Sequence, residues 1–205
     1  MQTTLQELKQ NWDGVEFEKH HFLETYDKEF KKFLDKENLR ILELGIDKGG
    51  SLHLWQKYFS NLSLLVGVEK YSDKIIIPLR HPLKFEIGDL GENSFYDRLT
   101  KYGSFDIIID DASHAASDII QSFENLFPIL ADGGIYCIEN VSYSDGLEKF
   151  AYQLLLNANG ITDCLDYPER MNLYSWWIKS LHIENQLIII RKGLWNYEER
   201  HHQVR

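Results

Sequence analysis

The run FDIIIDDASH, residues 105–114, ends an apolar stretch in two adjacent carboxylates, Asp110 and Asp111, and sets an imidazole, His114, three residues further on. Carboxylates accept hydrogen bonds, and a histidine titrating near pH 6.5 can exchange a proton at neutral pH. Together they suit proton transfer at a polar ligand, if a buried strand delivers them to one point. A carboxylate at the start of a loop is as often merely solvated or a helix cap. Weight comes from repetition: apolar runs elsewhere end in Glu43, Glu69, Asp89 and the pair Glu139–Asn140.

The elements that must position these residues alternate. Phe22, Tyr26, Phe30 and Phe33 recur at helical spacing and predict an amphipathic first helix. RILELG (40–45), LSLLVGVE (62–69), KFEIGD (84–89), FDIIIDD (105–111) and GGIYCIEN (133–140) read as buried strands. Between them run helical stripes: Leu52, Trp55 and Phe59; Phe95, Leu99 and Tyr102; and Ile119 to Leu130, with ADGG as the expected stop. After a last helix, GLEKFAYQLLLNANG, the segments IKSLHIE and QLIIIRK join at Asn185 and predict an antiparallel hairpin. The expected fold is α/β: a Rossmann-like, seven-stranded, mostly parallel sheet with a C-terminal antiparallel hairpin and helices on both faces. In such sheets ligands bind beyond the carboxyl ends of the strands, where the acidic residues fall.

The loop ELGIDKGGS lacks the spacing of a dinucleotide fingerprint and of a phosphate loop, so pyrophosphate binding is poorly supported. Glu43 together with Gly45, Gly49 and Gly50 suits instead a cofactor with an ammonium group and a bulky nucleoside, and Ser51 is assigned to the same loop. Glu69 is placed to accept from ribose hydroxyls and Asp89 from an adenine amino group, with Asp110 on the same side. This pattern fits S-adenosylmethionine.

The bounds agree with a small-molecule protein. The 205 residues suffice for one core, and a net charge of -10 disfavours nucleic acid and anionic membranes as partners. Cys137 and Cys164 show no paired spacing, and neither a secretory leader nor an eighteen-residue apolar stretch is present. A soluble, cytoplasmic protein is expected. Trp176 and Trp177 read as core, the C-terminal histidines as a solvated tail, and His20, His21 and Tyr143 as candidate pocket residues.

HHFLETYDKEF, ILELGIDKGGSLHLW, VGVEKYSD, IGDL, FDIIIDDASH, FPILADGGIYCIENVSYS and IKSLHIENQLIIIRKG, spread over residues 20–193, resemble class I S-adenosylmethionine-dependent methyltransferases. More narrowly they resemble the metal-dependent sugar O-methyltransferases of macrolide biosynthesis, a group that includes cephalosporin hydroxylase-like proteins. The resemblance implies an N-terminal helical segment (1–38) covering the substrate pocket, a methyltransferase domain (39–193) and a tail (194–205). It implies methyl transfer to a hydroxyl of a small sugar-like metabolite, with Mg²⁺ on Asp111, Glu139 and Asn140 and His114 as general base.

Where the family pattern reads IED this chain reads IEN, so the metal site carries one negative charge less. Either a weaker Mg²⁺ site completed by substrate or a metal-free variant follows. Two other readings stay open: a nicotinamide-dependent oxidoreductase, disfavoured by the glycine spacing, and an accessory protein that binds S-adenosylmethionine without turnover. Self-assembly is compatible with exposed aromatics expected on the first helix.

Overall fold

The structure is a computed structural model that describes residues 3–17, 21–142, 146–159 and 177–193. His20, Tyr143, Cys164, Trp176 and the tail lie outside the described residues. The strands form a seven-stranded mixed sheet. The chain divides into two compact units, Met1–Phe95 and Tyr96–Arg205.

In the first unit β1 (Leu39–Leu44), β2 (Leu62–Glu69) and β3 (Leu83–Ile87) pair in parallel. β2 coincides with the expected run, while β1 and β3 each begin one residue earlier and end one or two residues sooner than expected; Ile41, Leu42, Leu65 and Val66 are fully buried. The predicted first helix is α2, Leu23–Phe30, continued by a 3-10 turn over Lys31–Phe33. Its aromatic stripe faces inward. Tyr26 stacks on Phe30 at 4.6 Å, and both meet Trp55 of α3 (Gly50–Tyr58) edge-on at 5.8 Å. Phe22, Tyr26, Phe30 and Phe33 are all buried. The expectation of exposed aromatics on this helix is therefore corrected: one apolar stripe cannot serve both core and surface, and the core takes it.

A helix that the periodicity did not reveal precedes it. α1, Leu5–Gln10, is six residues long, and a reciprocal cap holds it. Thr4 Oγ1 accepts from the Glu7 N–H at 3.1 Å while the Glu7 carboxylate accepts from the Thr4 N–H at 2.8 Å. The chain then crosses the start of α3. A Cβ at Gly50 would overlap the carbonyl oxygens of Val15 and Glu16, so this crossing requires glycine. Asp13 pairs with Lys57 of α3 at 2.6 Å.

The second unit holds β4 (Phe105–Asp110) and β5 (Leu130–Ile138) in parallel, then β7 (Leu187–Lys192) antiparallel to β5, and β6 (Ile178–Glu184) antiparallel to β7 at the sheet edge. The hairpin turn is Asn185–Gln186, both at positive φ (36° and 68°), as a two-residue turn matching strand twist requires. α4 spans Asn93–Thr100, at the junction of the units in sequence; α5 spans Ala116–Leu126 and α6 Leu147–Ala158. Phe123 of α5 centres the aromatic core, stacked on Phe127 at 4.7 Å and edge-on to Tyr136 and Phe150 at 5.3 Å.

Two expectations are corrected here. ADGG does not stop α5: the helix ends at Leu126 and a 3-10 turn over Phe127–Ile129 carries Pro128, which cannot donate to a continuing helix. ADGG opens β5 instead. Trp177 is not core either. It is 37 % exposed before the edge strand, with the Lys192 ammonium 4.8 Å from its ring centre.

Candidate active site

In the first unit the residues assigned to the cofactor sit at the carboxyl ends of β1, β2 and β3. Gly45, at φ 77°, turns the chain out of β1 while its N–H donates to Val68 O at 3.0 Å. Gly49, at φ 89°, starts α3, and Ser51 is buried in its first turn. Glu43 is fully buried, its Oε2 accepting from the Trp55 indole N–H at 2.8 Å. It ties α3 to β1 beneath the loop. Glu69 is 6 % exposed, and Oε2 accepts from Asp47 N–H at 2.9 Å while Oε1 accepts from Lys70 N–H at 2.9 Å. This carboxylate thereby fastens the loop after β1 to the loop after β2. Asp89 lies in the turn after β3, where Gly91 N–H donates to Oδ1 at 3.0 Å and Lys70 Nζ sits 2.6 Å from Oδ2. The lysine's hydrogen bond holds the Asp89 carboxyl below the usual carboxylate range.

Two residues of this region were missed from the sequence: Lys70, on Asp89, and Lys74, whose Nζ is 3.7 Å from Glu69 Oε1. The available signal was a lysine directly after an acid at a strand end, in EKYSDK.

In the second unit β4 and β5 are in register, with Asp110 beside Ile138 and Glu139 N–H donating to Asp110 O at 2.9 Å. The loops beyond both strands therefore start at the same level. Asp111 and Asn140 meet there: Asn140 Nδ2 donates to Asp111 Oδ1 at 3.0 Å and lies 3.4 Å from His114 Nε2. His114 Nε2 is 3.9 Å from Asp111 Oδ1, and the two side chains are 39 % and 22 % exposed. His114 and Asn140 both adopt positive φ, 59° and 54°, conformations uncommon for non-glycine residues. Ser113 Oγ stabilises that turn, accepting from Ala115 N–H at 3.3 Å and donating to Asp118. The structure thus brings Asp111, His114 and Asn140 together. Glu139, by contrast, is 1 % exposed.

Asp110 is buried at the end of β4, 3.4 Å from the Tyr136 hydroxyl that donates to it. Burial, reinforced by the Asp111 and Asp118 charges, pushes its carboxyl up to about 7. The folded chain then keeps a proton here that the unfolded chain loses near pH 4. Its stabilising contribution is full below pH 4 and is lost as pH rises towards about 7. Urea unfolding at pH 4 and pH 8 should show this fall, and Asp110→Asn should flatten it; an unchanged pH profile in the variant would exclude Asp110 as its source.

Among the described residues no three His, Cys, Asp or Glu side chains form a group able to hold a metal ion. Asp111 and Asn140 nevertheless offer two hard oxygen donors at one point, once the Asn140 amide turns its oxygen where its nitrogen now stands. Mg²⁺ keeps several waters and needs only one or two carboxylates from a protein, so this donor set fits it, with reduced charge.

No family model matches the chain. It is 33% identical over 130 residues to mycinamicin VI 2''-O-methyltransferase of Micromonospora griseorubida, covering 60% of this chain and 32% of that protein. It is 32% identical over 176 residues to L-olivosyl-oleandolide 3-O-methyltransferase of Streptomyces antibioticus, covering 78% and 44%. The chain is a relative of sugar O-methyltransferases. The matched part spans 32% and 44% of the length of these two relatives, less than half of either. The fold agrees: MycE, a methyltransferase of the mycinamycin pathway solved in complex with Mg and SAH, superposes with a TM-score of 0.76 at 26% identity, over 95% of this chain and 55% of that one. Among the described residues of this methyltransferase relative, no helix is long and apolar enough to cross a membrane.

Proposed function

We propose that this chain transfers a methyl group from S-adenosylmethionine to a hydroxyl of a small sugar-like metabolite. The reading is carried by one observation: Asp111, His114 and Asn140 converge at adjacent strand ends in a chain whose relatives are named for methyl transfer to sugar oxygens. The cofactor falls to the first unit, where Gly45 and Ser51 form the loop, Glu69 and Asp89 accept from ribose hydroxyls and the adenine amino group, and Glu43 supports α3 from below. Asp110, with Tyr136, backs the site in the second unit.

In the reaction the acceptor oxygen forms a bond to the methyl carbon as the sulfonium–carbon bond breaks, leaving an ether, a thioether and a proton. A neutral alcohol is a weak nucleophile at pH 7, so the proton needs an acceptor. His114 is that group. Nε2 is the ring nitrogen that faces the cluster, 3.4 Å from Asn140 Nδ2 and 3.9 Å from Asp111 Oδ1, and in the neutral ring with the proton on Nδ1 it offers the lone pair. Asp111 then stabilises the imidazolium that forms. Asp111, Glu139 and Asn140 would hold Mg²⁺, which would supply Lewis acidity that lowers the hydroxyl pKa. The segment of residues 1–38 is assigned to acceptor selection.

The test is release of S-adenosylhomocysteine from S-adenosylmethionine over a panel of nucleotide sugars and glycosides, with and without chelator. Turnover with at least one sugar-bearing acceptor, reduced by chelator, is expected. Cofactor binding by calorimetry without turnover on any acceptor would instead identify an accessory protein.

A further inference from the structure

Lys70 spans the two carboxylates that the cofactor reading assigns to adenosine. Its backbone N–H donates to Glu69 Oε1 at 2.9 Å, which fixes its root at the end of β2. Its ammonium reaches Asp89 Oδ2 at 2.6 Å, beyond the end of β3. Asp89 Oδ1 is taken by Gly91 N–H at 3.0 Å, so both oxygens have an anchor and the plane of the carboxylate is set. The side chains of Lys70 and Asp89 are 51 % and 41 % exposed. An ion pair this exposed adds little to folding stability. Its use is orientation.

We propose that Lys70 is a positioning residue for purine selectivity: by holding Asp89 it keeps an oriented acceptor ready for the adenine amino group, while its methylene stem bridges the ends of β2 and β3. The inference rests on the cofactor reading above. A carboxylate fixed in direction rewards a donor at one position and gives nothing to a ligand that lacks it. A carboxylate free to rotate finds water equally well, and discrimination falls. Asp89 carries the contact with the ligand, and Lys70 acts through Asp89.

Calorimetry with S-adenosylhomocysteine and its 6-deamino counterpart, built on purine riboside, separates these roles. The wild-type protein should prefer the amino compound by about tenfold or more, the yield of one hydrogen bond to a charged acceptor. Lys70→Met keeps the stem and removes the charge. Its preference should shrink below about threefold, with affinity for the deamino compound unchanged, while Lys70→Arg should retain the wild-type preference. A wild-type preference in Lys70→Met overturns the proposal, as does an equal loss of affinity for both compounds, which would mark Lys70 as a scaffold only. If the wild-type protein binds neither compound, the cofactor reading itself fails.

Discussion

His114→Ala should lower turnover by about two to four orders of magnitude while leaving the dissociation constant of S-adenosylhomocysteine within about twofold of wild type. The first figure is the usual yield of a positioned general base, and the second follows from where the residue lies. His114 touches Asp111 and Asn140, and it is the first unit that holds the residues assigned to adenosine. His114→Gln keeps a polar group in the turn but cannot take the proton, so it should be almost as slow. Glycine at 114 would relieve the positive φ of 59° and give a well-folded control without an imidazole. Single-turnover methyl transfer at saturating cofactor is the measurement, because it excludes product release. Turnover at the wild-type rate in the glycine variant would remove His114 from the chemistry and leave Asp111 to be considered as base.

Lys192→Met should cost about 1–3 kcal/mol of stability and lower the midpoint of thermal unfolding by roughly 5 °C. Lys192 is 6 % exposed, and its ammonium donates to Phe127 O at 3.1 Å, Pro128 O at 3.0 Å and Leu130 O at 2.7 Å. Three donors meet three carbonyls. These carbonyls belong to the 3-10 turn after α5 and the first residue of β5; Phe127 O also accepts from the Leu130 N–H, and the helix end adds a partial negative charge. Burial pulls the ammonium pKa down, and Asp132 opposes that shift. Methionine fills the same channel but leaves the carbonyls without their shared donor, which costs desolvation that packing does not restore. Thermal unfolding followed by circular dichroism is sufficient; a midpoint shift under about 2 °C would show that water replaces the ammonium without penalty.

Much of the sheet was legible because buried parallel strands are continuous apolar runs and each ends abruptly in a polar residue. FDIIIDD and LSLLVGVE leave little choice of period, and Asn185 marks the hairpin turn. The cluster of Asp111, His114 and Asn140 was legible in part for the same reason: two of its members lie within four residues of the end of one strand, and the third follows the strand paired with it. What the sequence hid depends on partners far apart. A stripe of Phe22, Tyr26 and Phe30 says that one face is apolar, but only the packing on Trp55 shows that nothing of it remains for a surface. α1 is too short for periodicity to register, though its Thr4–Glu7 box was readable. ADGG looks like a stop wherever it occurs, and here Pro128 had already ended the helix. Lys70 was overlooked because a lysine after an acid is ordinary until the two strand ends are known to lie side by side.

The crossing of residues 15 and 16 over Gly50 sets a rule for exchanging parts between such proteins. An N-terminal segment grafted from a relative to change acceptor range brings two peptide oxygens that must rest where position 50 has no side chain. Recipient and donor must therefore agree at that position before any contact with the acceptor is considered. A library that randomises residue 50 together with the segment would consist mostly of chains whose entry strap has been levered off the helix it crosses.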